Sequence, residues 1–178
     1  MIKKFFLASL LSIIFSCAQC FAAQNVDFPL CEKNPANFVA AFNQTANNNG
    51  GRFILGAPQL LPNEGKDDNH VYEVGVIPEG LKVLTYFLTN KDDNLNRILI
   101  MADNSENLGS AFKPMLLALG LTEKEITADA VFDATETTNS FWCAATKRYI
   151  NVTTAVNKQE NMDIFYMIVL ASQEKPAK

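Results

Sequence analysis

Residues 70–102 read HVYEVGVIPEGLKVLTYFLTNKDDNLNRILIMA, and this stretch decides the fold class. His70, Tyr72, Val74 and Val76 recur at every second position, the period of a strand with one buried face. Pro78-Glu79-Gly80 is a tight turn into a second strand over 81–89. Asn90-Lys91-Asp92-Asp93-Asn94 turns again into a third strand over 95–102. Proline presets φ at one turn position and glycine takes the left-handed one, so the first break is chemically specified. Three strands joined by short turns predict an antiparallel meander.

Upstream of the meander, residues 52–57 predict a strand stopped by Pro58, and 60–69 a polar loop. Asn34-Pro35 has the form of an N-cap followed by proline at the first helical position. Phe38, Ala41, Phe42 and Thr45 then follow at helical spacing, predicting a helix to about Ala46, where Asn47-Asn48-Asn49-Gly50-Gly51 ends it.

Downstream, residues 108–119 (LGSAFKPMLLAL) predict an apolar helix with Pro114 in its first turn or kinking it, and Gly120 at its end. Thr122-Glu123-Lys124-Glu125 is a capping box that opens a further helix through Ile126 and Ala130. Residues 141–156 read as one long strand, bulged or broken at Lys147-Arg148. Residues 164–170 (IFYMIVL) are apolar on both faces, which predicts a central strand with helices over at least part of its second face. The expected fold is one α+β domain over residues 23–172. It is an antiparallel β-sheet of about five to six strands, with an N-terminal helix and a central helical pair packed on one face. Residues 173–178 read as a solvated tail.

The first 22 residues carry the order of a secretory signal peptide. Lys3 and Lys4 precede the uncharged run FFLASLLSIIF over 5–15, and Cys20-Phe21-Ala22 places small residues for cleavage after Ala22. The apolar run is short of the roughly 20 residues a spanning helix needs. Phe15 spoils the alternative of a lipid anchor at Cys17. The expected location is therefore the periplasm or the medium, with contact to the membrane only in transit.

Composition narrows the function classes. Apolar residues make up 48% of the chain and charged residues 19%, which excludes a disordered polymer. The net charge is −4, and cleavage removes two lysines and no acid. An acidic surface without a Lys/Arg cluster speaks against nucleic acid and against anionic membranes. Cys31 and Cys143 are the cysteines left after cleavage, an even number in an oxidising compartment, so a disulfide is the expectation.

His70 is the sole imidazole of the chain. A Ser-His-Asp triad would have to pass through it, yet Ser105, Ser110, Ser140 and Ser172 lie in no nucleophile motif. Neither Asp67-Asp68 nor Asp92-Asp93 matches a calcium-loop spacing, and one histidine is too few for a zinc site, so no metal or cofactor is expected. Trp142, with Phe141 and Tyr149, is expected to pack as core around the disulfide. Asn43 and Asn151 head Asn-X-Thr patterns.

The residues put forward for partner binding are Asp67, Asp68, His70, Asp92 and Asp93: charged loops on a rigid sheet are where recognition is placed. The expectation is a small exported protein that binds another protein, as an inhibitor or an immunity-type factor does. A carboxylate-dependent envelope hydrolase and a small-ligand carrier are the alternatives.

Overall fold

The computed structural model describes residues 28–62, 69–126, 137–158 and 163–173. In chain order these form helix α1 (Pro35–Asn48), strands β1 (Ile54–Leu60), β2 (His70–Ile77), β3 (Val83–Thr89) and β4 (Leu95–Ala102), helix α2 (Ser105–Ala118), and strands β5 (Thr137–Cys143), β6 (Arg148–Lys158) and β7 (Asp163–Ser172). The strands make one seven-stranded sheet in the order β1-β2-β3-β4-β7-β6-β5, antiparallel at every step. The α+β class, the meander and the central place of β7 are as expected from sequence.

The strand count is a correction, seven rather than five to six. Residues 141–156 are broken rather than bulged. They hold most of a hairpin in which Cys143 faces Arg148, and Lys147 takes a left-handed φ of 54° in the connection. Lys147 closes the turn and Arg148 opens β6. A second correction concerns Pro58, which lies inside β1. The register shifts between Leu55 and Pro58, and β1 is an edge strand, where a missing N–H costs no ladder bond. The third concerns α2. Asn104 caps it, its Oδ1 accepting from Asn107 N at 2.9 Å, so the helix starts earlier than expected and Pro114 sits in its interior. Of the helix expected to follow, the turn from Thr122 to Ile126 is seen and the remainder lies outside the described residues. The expected signal peptide over residues 1–22 lies outside them too.

Each helix is terminated by specific chemistry. Asn34 Oδ1 accepts from Asn37 N at 2.9 Å, with Pro35 opening α1. After α1, Gly51 N donates to Ala46 O at 2.8 Å, and a Cβ on Gly51 would meet the Ala46 Cβ at 2.8 Å, so the return is too tight for any side chain. After α2, Gly120 has φ +105°, Gly120 N bonds Leu117 O and Leu121 N bonds Leu116 O. This paired closure satisfies two orphan carbonyls and buries Leu121 against the helix end.

Both helices lie on one face of the sheet. Phe38 meets Phe87 edge-on with ring centroids 5.4 Å apart, and Phe112 meets Phe141 at 6.0 Å. Ile98, Ile100, Met167, Val169, Ile150 and Val152 complete the sheet side of this core. Asn43 ties α1 to the edge strand: its amide donates to Leu55 O at 2.8 Å and accepts from Leu55 N at 2.7 Å, replacing the strand neighbour that β1 lacks. The segment before α1 is pinned at both ends. Leu30 N donates to Leu95 O at 2.7 Å, and Lys33 Nζ donates to Ala118 O at 2.9 Å, a cation at the negative end of α2.

Candidate functional site

The sequence-nominated residues meet at the end of the sheet where β3 turns into β4. Asn90 builds that turn: its Oδ1 accepts from Asp92 N at 3.1 Å and from Asn94 N at 3.0 Å, and its own N–H donates to Asn94 O. Asp93 adopts φ 57°, a left-handed conformation that aspartate tolerates better than most residues. The turn is thus fixed by its own side chains, and it presents Asp92 and Asp93 in one defined arrangement.

Strand register brings the rest. His70 pairs with Thr89, the last residue of β3, so the β2 terminus stands beside the turn. His70 Nδ1 lies 3.8 Å from Asp93 Oδ1, and Tyr72 Oη donates to the same carboxylate oxygen at 2.9 Å. Partial burial, and then the hydrogen bond and negative charge of Asp93, raise the pKa of the Tyr72 phenol. The imidazole and the carboxylate are both about half exposed, so an incoming group reaches either.

The structure therefore unites His70, Asp92 and Asp93, adds Tyr72, and leaves Asp67 and Asp68 outside the described residues. Tyr72 was legible in principle: it shares a strand face with His70, and the meander register puts that face next to the turn. Chemically the cluster is a hydrogen-bond acceptor site with an imidazole beside it. Two serines considered as nucleophiles are engaged elsewhere. Ser110 Oγ donates to Asn107 O at 2.8 Å, and Ser172 Oγ accepts from the Asn151 amide at 2.9 Å. Among the described residues no group of three or more His, Cys, Asp or Glu is placed to hold a metal ion, and no helix is long and apolar enough to cross a membrane.

The cysteines require a correction. Cys31 and Cys143 are not joined; both are free, buried thiols. An even count in an oxidising compartment favours pairing but fixes neither the separation nor the angles a disulfide demands. The two do belong to one end of the core. Arg148, the register partner of Cys143, donates through its guanidinium to Pro29 O, two residues before Cys31, and stacks over the Phe28 ring at 5.2 Å. Burial pushes the Cys31 thiol pKa up, opposed by its hydrogen bond to the Lys33 backbone and by the Lys33 charge.

Trp142 is also corrected. Phe141 packs in the core as expected, but alternation sends Trp142 to the opposite face, where it is 45% exposed and meets Tyr149 edge-on at 5.1 Å. Neither ring is on the face that holds Cys143. The chain matches no protein-family model, no curated protein and no solved structure.

Proposed function

We propose that this chain is a small exported protein that acts by binding another protein, in the manner of an inhibitor or immunity-type factor, with residues 1–22 as its signal peptide. The observation that carries the reading is the self-braced turn at residues 90–94, which holds Asp92 and Asp93 ready beside His70 and Tyr72. Pre-ordering removes part of the entropy cost of association, and an acidic knuckle steers a basic partner.

The test is mild crosslinking and capture of the exported chain, tagged at its C-terminus, with and without Asp92→Lys and Asp93→Lys. A protein recovered near stoichiometry with the parent chain, and at least tenfold less with the double reversal, supports the reading. Recovery indifferent to both reversals removes the turn from the function. Alkylation after unfolding without reduction is expected to label both Cys31 and Cys143, and a pair that takes label only after reduction contradicts the free thiols.

A further inference from the structure

The sheet has two edge strands, and the chain protects them unequally. β1 carries three devices against pairing with a further strand. Pro58 offers no N–H, the register shifts between Leu55 and Pro58, and the Asn43 amide occupies both Leu55 N and Leu55 O. Such features keep a sheet edge from templating another chain.

β5, the opposite edge, has none of them. Its seven residues, TTNSFWC, hold no proline, no glycine and no charge. Their register with β6 runs unbroken from Thr137 opposite Thr154 to Cys143 opposite Arg148. Thr138 and Trp142 are exposed, and Asn139 and Ser140 are half-buried, so the strand reaches the surface over most of its length. The hydroxyls of Thr137 and Thr138 bond to Thr154 and Thr153 of β6. Among the described residues no strand flanks β5 on its other side, where alternate N–H and C=O groups of an edge strand point outward.

We infer that β5 pairs antiparallel with β5 of a second copy, joining the two sheets into one. The strand is complementary to itself about a two-fold axis through Ser140, the register that pairs all seven residues. That register sets Thr138 beside the partner subunit's Trp142 on the face turned away from the helices, a small side chain against a large one. Like charges directly opposite one another would repel a second copy, and β5 has none to place there. Trp142, 45% exposed and touching Tyr149 edge-on, gains cover from the added strand. Pairing of one edge with itself closes at two subunits, since it leaves no β5 edge for a third. This edge is separate from the turn at residues 90–94 and does not depend on the binding role given to that turn.

Sedimentation equilibrium of the folded protein tests the inference, with circular dichroism confirming the fold of each variant. Thr138→Lys combined with Trp142→Lys sets lysine beside lysine across the pairing, and Thr138→Glu combined with Trp142→Glu sets carboxylate beside carboxylate. The parent is expected to dimerise, and each doubly charged variant to associate at least tenfold more weakly. An equal mixture of the two variants is expected to recover dimer to within a few-fold of the parent. Gln59→Lys, at an exposed position of the β1 edge, is expected to leave the dimer unchanged. A parent that stays monomeric at every concentration overturns the inference. So does a dimer indifferent to the paired lysines, a mixture no more associated than its parts, or a dimer lost with Gln59→Lys.

Discussion

The two faces of this sheet are built from the same strands and do different work. On one, Phe87, Ile98, Ile100, Met167 and Val169 are sealed beneath α1 and α2. On the other, the alternate residues of the same strands are just as apolar at the centre, yet their rim reaches solvent at Leu84 and Trp142. The comparison teaches that an apolar strand residue is not by itself a core residue. Its stabilising value depends on whether something packs against it, and only the helix-covered face has its covering among the described elements.

Truncation on the covered face should break the fold outright. Phe87→Ala removes a fully buried ring that meets Phe38 edge-on, and is expected to cost about 3–5 kcal/mol in urea denaturation. A loss below about 1 kcal/mol would mean that the helices do not close on β3 as described. The next largest effect is expected where α1 is sewn to the sheet. Asn43→Ala leaves both Leu55 backbone groups without their side-chain partner and should cost about 2 kcal/mol, with hydrogen exchange accelerated in β1 before any other strand.

Glu125 sharpens the comparison at the end of the covered layer. Its carboxylate accepts from Thr122 N at 2.7 Å, Thr122 Oγ1 at 2.8 Å and Ala144 N at 2.8 Å, joining the turn after α2 to the β5–β6 connection. These bonds favour the charged form and hold its pKa below the ordinary value of about 4.5. A depressed folded pKa stabilises above the unfolded value, and that contribution fades as pH falls through the folded one. The stability gap between the parent and Glu125→Ala should therefore be flat near neutral pH, and should close progressively as pH falls below about 4.5. A gap that widens with acid would reverse the sign of the argument. Smallest of all, Leu84→Ala on the other face should shift monomer stability by no more than about 0.5 kcal/mol.

Much of this arrangement was legible in the chain. Strict alternation and turn chemistry over 70–102 gave the meander, Asn34-Pro35 gave the start of α1, and the doubly apolar run at 164–170 gave the central strand. The β5–β6 hairpin was legible only as a strand bulged or broken at Lys147-Arg148, because its connection reads Ala-Ala-Thr-Lys rather than Asn-Gly or Asp-Gly, and a left-handed lysine has no sequence signature. The site was half legible. Charge pairs and a lone histidine nominate residues, but the contact of Tyr72 with Asp93 depends on register across two strands. Cysteine parity suggested a bond that the structure does not contain, since parity carries no geometry.

Hydroxyl-radical footprinting of the folded protein tests the division between the faces most directly. Leu84 and Trp142, 37% and 45% exposed, should take label, while Phe87, Ile100 and Met167 beneath the helices stay protected. Protection of the first set, or labelling of the second, would contradict the account.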